Sequence, residues 1–176
     1  MLIAFFFEEK RERMIKEIEI QIASDKDTGL LLSLIGELAE VEGLSDKSTV
    51  TEDDLRRLLF EPGSVSEAMF VYLEGEVVAY FIFCPKIDTY SGKNAIYLDH
   101  LYVLPAYRRK GIGGAIMAHL GRVALERGAA LIELFAVESN RDALEFYSSV
   151  GGKQKDIVKV IRFEEEALKE LAREHA

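Results

Sequence analysis

Apolar positions along the chain switch repeatedly between strict alternation and stripes of 3.6-residue period, so the chain reads as a succession of strands and helices. Ile18, Ile20 and Ile22 alternate with Glu19 and Gln21, the period of a half-buried strand. Asp25 and Asp27 then open a helix whose Leu31, Leu34, Ile35, Leu38 and Ala39 share one face, ending near Gly43. Thr51-Glu52-Asp53-Asp54 is a capping-box-like start for a second helix, which carries Leu55, Leu58 and Leu59 and is stopped by Pro62. Two β-rich runs, residues 68–73 and 77–84, are joined through Glu74-Gly75-Glu76 and predict a hairpin. A polar loop over residues 86–94 leads into a strand at 96–104, apolar on both faces near its end and closed by Pro105. The next helix carries Ile116, Met117, Leu120, Val123 and Ala124 in one stripe, with Gly128 placed to terminate it. Residues 131–137 form another short strand. Asn140 caps a helix through Ala143, Leu144, Phe146, Tyr147 and Val150 that stops at Gly151-Gly152. Residues 157–163 alternate as a last strand, and a charged helix over 164–174 closes the chain.

The predicted order is β-α-α-β-β-β-α-β-α-β. It places the chain in the α/β class, as a single mixed sheet flanked by helices, with an antiparallel hairpin and a parallel pair around the long crossover helix. Residues 1–16 read as an N-terminal extension and 17–176 as one domain, since no repeat, linker or low-complexity tract divides them. The opening MLIAFFF passes straight into EEKRER, which suits neither a signal peptide nor a membrane span. Met14, just ahead of the first strand, is an alternative start.

Charge and cysteine content narrow the function. The chain of 176 residues carries 31 acidic and 22 basic side chains, net −9, which argues against nucleic acid and accommodates a small cationic substrate. Cys84 is the single cysteine, so no intrachain disulfide forms, and its place before Pro85 in an apolar run reads as a buried thiol in a reducing cytoplasm. His119 and His175 have no metal-ligand spacing, and no metal is expected.

The chemistry concentrates behind the strand at 96–104, in Arg108-Arg109-Lys110-Gly111-Ile112-Gly113-Gly114. Glycines there permit positive φ and close approach to the amides, while the following helix start offers unpaired N–H groups and a positive dipole end to an anion. Neither a Gly-Lys-Ser/Thr motif nor G-x-G-x-x-G is present. A plain glycine-rich turn between two elements is the alternative. The Arg-x-x-Gly-x-Gly spacing after a strand resembles the acetyl-CoA signature of the GNAT N-acetyltransferase family, and the element order is that of the GNAT fold. LLSLIGELAEVEGLSDKSTVTEDDLRRLLF, YLDHLYVLPAYRRKGIG and VESNRDALEFYSSVGG together resemble the branch of spermidine/spermine (diamine) and thialysine N-acetyltransferases.

That resemblance implies acetyl-CoA as cosubstrate, held by Leu101, Tyr102 and Val103 of the strand, by Arg108, Arg109, Lys110, Gly111, Ile112, Gly113 and Gly114, and by Asn140 and Tyr147. It makes Tyr147 the proton donor to the leaving thiolate. It also implies direct transfer to a primary amine of a small cationic substrate, a polyamine or a lysine analogue, in a ternary complex, by a homodimer. An alkylamine with a pKa near 10.4 is neutral in about one molecule in 2,500 at pH 7, so some group must accept a proton. Asp99 matches the family's acidic residue near the amine. His100, with an ordinary pKa near 6.5, is the alternative acceptor. Asp88 and Glu42 are candidate anchors for distal positive charge. The diamine enzymes usually show two adjacent acidic residues where this chain has Asp99-His100, and an acidic segment ending in tryptophan where it has Gly152-Lys153-Gln154-Lys155-Asp156 and no tryptophan anywhere. A protein or peptide N-acetyltransferase and a non-catalytic acetyl-CoA-binding module are the rival functions.

Overall fold

The computed structural model describes residues 15–155 and 159–174. The expected extension at 1–16 and the alternative start at Met14 fall almost wholly outside the described residues, as does His175. Five strands form one sheet in chain order: β1 (Ile18–Ile22), β2 (Glu67–Leu73), β3 (Glu76–Asp88), β4 (Lys93–Val103) and β5 (Ala129–Leu134). The first four pair antiparallel, whereas β4 and β5 are parallel, as a helical crossover requires.

Helices cover both faces. On one lies α3 (Ile112–Glu126), whose Ile112, Ile116, Leu120 and Ala124 pack against Val71, Phe81, Phe83, Ile96 and Leu98. On the other lie α1 (Thr28–Glu42) and α2 (Glu52–Leu59), with Leu31, Leu34, Ile35, Leu38 and Leu55 against Phe70, Tyr80, Ile82 and Tyr102. The alternation of β3 decides this division: Ala79, Phe81 and Phe83 face α3, while Tyr80 and Ile82 face α1. Both ends of α1 and α2 follow the sequence. Gly43 ends α1 with φ 68°, and the Thr51 hydroxyl accepts from Asp54 N while the Asp54 carboxylate accepts from Thr51 N. Two further helices follow β5, α4 (Arg141–Ser149) and α5 (Glu165–Glu174).

Two expectations change. The loop expected over 86–94 is mostly strand, because β3 runs through Pro85 to Asp88 and β4 begins at Lys93. Proline is tolerated there because β2 pairs β3 only as far as Phe83, so beyond it β3 is an edge with no ladder to feed on that side. Of the last strand expected over 157–163, residues 156–158 lie outside the described residues and 159–163 join no ladder. Val160, Ile161 and Phe163 there are exposed. Alternation marks a segment as amphipathic when extended; it does not supply the edge that must receive it.

Candidate active site

The site begins with a register slip. Ile82 of β3 lies opposite His100, but Phe83 lies opposite Leu98, so Asp99 is an extra residue in β4. This bulge resets the alternation: Ile96 and Leu98 face α3, and after it Leu101 and Val103 do so, leaving His100 and Tyr102 on the α1 side. A bulge of this kind re-aims side chains and bends the strand. The parallel ladder to β5 ends at the same place, at Leu98 opposite Leu134. Residues 99–103 therefore run on with β3 on one side and no strand on the other, and alternate backbone N–H and C=O groups on that open side are free of the ladder.

Beyond β4, a single 3₁₀ turn, Pro105–Tyr107, delivers the chain into the basic loop. The Arg108 Nε donates to Val103 O at 2.9 Å and its guanidinium lies over the Tyr102 ring, while Lys110 Nζ lies 5.0 Å from the Tyr107 ring centre. Gly111 has φ 89° and Arg109 φ 59°, so the tightest part of the turn uses two left-handed residues. Gly113 and Gly114 are already helical, contrary to a loop extending through all three glycines. Gly113 still has a use in packing. A Cβ on Gly113 would come within 3.0 Å of the Phe146 ring, so glycine lets α4 approach α3, whereas a Cβ on Gly114 would meet nothing within 4 Å. No side chain caps α3, so its first N–H groups stay available beside three cationic side chains.

On α4, the Asn140 Oδ1 accepts from Ala143 N at 3.2 Å, so its oxygen serves as a helix cap and its amide hydrogens remain to donate. Tyr147, one residue after Phe146, packs against the α3-side core with the two rings 5.1 Å apart. Burial, and secondarily the charge of Glu42, pushes its phenol up to about 12.

Glu42 at the end of α1 thus acts on Tyr147 through its charge. It also acts, with Asp99, on Tyr80, whose phenol is driven far above its ordinary value, first by burial. The Glu42 carboxyl is itself raised by partial burial. His100 is mostly buried, its Nδ1 3.1 Å from the Tyr80 hydroxyl and its Nε2 4.0 Å from Asp99 Oδ2. Burial lowers its pKa and Asp99 partly offsets this, so the ring is neutral at pH 7. Glu42 and His100 line a cleft of about 440 Å³ with Lys47, Asp54 and Arg57 from the α1–α2 connection and α2. Asp99, His100 and Glu42 are brought together, and Tyr147 feels the charge of Glu42. Asp88 is not brought to them: it sits where the β3–β4 hairpin turns, accepting from Tyr90 N, opposite Lys93. Asp99 lies six residue steps along β4 from Lys93, roughly 20 Å along the strand.

Two residues emerge only from the structure. Glu37 of α1 accepts from the Tyr102 hydroxyl at 2.9 Å, tying α1 to β4 beside the bulge. Tyr80, in sequence one more aromatic of an apolar run, gives no sign of its polar task. Cys84 is half-buried, and burial together with Asp99 raises its thiol, the reverse of what a nucleophile needs. Among the described residues no cluster could hold a metal ion.

Such a splayed strand pair, amide-rich helix start and half-buried tyrosine suit group transfer from a pyrophosphate-bearing thioester. Residues 33–151 match the acetyltransferase (GNAT) family, and the chain belongs to it: it is an N-acetyltransferase of the family whose cosubstrate is acetyl-CoA. Two relatives are both called thialysine N-epsilon-acetyltransferase. The one from Bos taurus is 34% identical over 168 residues, covering 88% of this chain and 97% of the relative. The one from Sus scrofa is 34% identical over 173 residues, covering 87% and 96%. In structure, an aminoglycoside acetyltransferase from an uncultured soil metagenomic sample, solved with sisomicin, superposes with a TM-score of 0.69 at 20% identity, covering 85% of this chain and 97% of its own.

Proposed function

We propose that the enzyme moves the acetyl group of acetyl-CoA directly to the terminal primary amine of a small cationic molecule, a polyamine or lysine analogue, with both substrates bound together. The observation that carries this reading is the β4 bulge, which sets Asp99 and His100 side by side where β4 parts from β5 and beside the cleft of Glu42. The site fits acetyl-CoA: residues 101–103, paired with β3 on one side, offer backbone groups on the side no strand covers, residues 108–114 offer amides and cations, and Asn140 and Tyr147 belong to the facing helix and its cap. When bound, acetyl-CoA supplies the activated acyl carbon.

The chain's own residues handle the protons. Asp99 takes a proton from the bound ammonium, directly or through water, so that a neutral amine attacks; as the N–C bond forms and the C–S bond breaks, the nitrogen's second proton passes to water and the departing sulfur receives a hydrogen bond from Tyr147. Delivering a neutral amine from water at pH 7 costs about 4.6 kcal/mol, which is the size of the task assigned to Asp99. A half-buried thiol with a raised pKa at Cys84 supports direct transfer over an acetyl-enzyme. Both signs of charge line the cleft, Glu42 against Lys47, with Asp54 and Arg57 paired to each other, which suits an amine that also bears a carboxylate. Lysine analogues therefore stand ahead of polyamines, in keeping with the names of the two mammalian relatives. We further place the enzyme in the cytoplasm as a homodimer. Its free thiol and the exposed Phe135 just past the end of β5 support this, and no helix among the described residues is long and apolar enough to cross a membrane.

Acetyl-CoA-dependent release of free thiol against thialysine, lysine, ornithine, spermidine, putrescine and a lysine peptide tests the reading. Thialysine and lysine are expected to turn over fastest. Acetyl-CoA binding without turnover of any amine would reduce the protein to a binding module, and turnover of the peptide alone would make it a protein acetyltransferase.

A further inference from the structure

We propose that the buried hydroxyl of Tyr80 donates to Nδ1 of His100 and fixes that imidazole in the tautomer with its proton on Nε2, making His100 a hydrogen-bond donor and leaving Asp99 as the proton acceptor. The two atoms are 3.1 Å apart, and Tyr80 has no exposed surface. Among the described residues the ring nitrogen is the hydroxyl's hydrogen-bond partner, and no buried side-chain nitrogen or oxygen lacks one. The direction of the bond follows from what each choice strands. If Nδ1 carried the proton and donated, the phenolic hydrogen would be left in the core with no acceptor. Tyr102, whose hydroxyl donates to Glu37, makes no hydrogen bond with the Tyr80 hydroxyl among the described residues.

The charges around the pair reinforce this. Glu42 from α1, Asp99 from β4 and Glu37 from α1 all act on Tyr80 with negative charge, and burial adds to them, so the phenol keeps its proton and remains a donor. A neutral ring whose Nδ1 lone pair is already taken has only an N–H left to present. His100 Nε2 and Asp99 Oδ2 are 4.0 Å apart, so the N–H and the carboxylate bound the same space with opposite hydrogen-bonding roles. Tyr80 is thus a positioning residue that settles which of two adjacent side chains takes the proton. The catalytic consequence rests on the acetyl-transfer reading; the tautomer does not.

The tautomer can be read without turnover. Long-range ¹H–¹⁵N correlation of the full ¹⁵N-labelled chain at about pH 8, where an ordinary imidazole is neutral, resolves the two ring nitrogens of each histidine. The three histidines are assigned by the loss of one in His100→Gln. The expected spectrum of His100 has a protonated Nε2 and a bare Nδ1, and in Tyr80→Phe the two shifts move toward one another as the bias is lost. A protonated Nδ1 in the unaltered enzyme overturns the proposal, as do unchanged ring shifts in Tyr80→Phe. Should Tyr80→Phe fail to fold, the spectrum of the unaltered enzyme decides alone. Absence of acetyl transfer to any amine would leave that spectrum standing and count against the functional reading instead.

Discussion

Asp99→Asn is expected to lower kcat/KM for the amine at pH 7 by about 10²- to 10³-fold, within the range that general acid–base groups contribute. Asparagine is nearly isosteric and Asp99 is half exposed in the bulge, so the fold should hold. What disappears is the acceptor. The variant must then wait for substrate that has already lost its proton in water, a fraction near one in 2,500 at pH 7 that grows about tenfold with each pH unit. The deficit should therefore narrow steadily as the pH is raised from about 7 to about 9, where the neutral fraction is nearer one in 25. Initial rates at saturating acetyl-CoA across that span provide the check. A ratio to the unaltered enzyme that stays constant with pH would mean that Asp99 binds the amine without taking its proton.

Tyr147→Phe is expected to lower kcat by about 10²-fold, ~2.7 kcal/mol, with acetyl-CoA affinity changed less than about twofold. The phenol, raised to about 12 by burial first and Glu42 second, stays protonated throughout any practical pH range. Complete proton transfer to a thiolate of ordinary pKa near 8.5 would be uphill by about 5 kcal/mol, so Tyr147 works as a hydrogen-bond donor whose bond strengthens as charge develops on sulfur. It follows that no titration of Tyr147 should appear in the rate profile below about pH 10. Calorimetry of acetyl-CoA binding beside steady-state rates separates the two effects. Loss of affinity with kcat intact would place Tyr147 in packing alone, where its contact with Phe146 already gives it a part.

Much of the architecture could be read from local signals because it is made by local chemistry. The Thr51–Asp54 capping box, the αL glycine at Gly43, the Asn140 cap and the stripe on α3 are each contained within a few residues. The bulge could not be read so. Asp99-His100 does break the alternation, but in a strand apolar on both faces near its end that break does not by itself mark a bulge, and the slip is fixed only by pairing with Ile82 and Phe83, some 17 residues away in sequence. With the bulge went the roles of Tyr80 and Glu37, whose partners are chosen by register and by the seating of α1. Gly113 and Gly114 were visible as glycines, but that one admits Phe146 and the other leaves open space depends on where α4 docks. The strand expected at 157–163 shows the converse, a clean alternation with no edge supplied to residues 159–163.

The central claim is that one site holds acetyl-CoA and an amine at once and passes the acetyl group straight between them. Initial rates with both substrates varied test it most directly. Double-reciprocal plots at several fixed amine concentrations should give lines that intersect to the left of the axis; parallel lines, with a burst of free CoA before any amine is added, would contradict it.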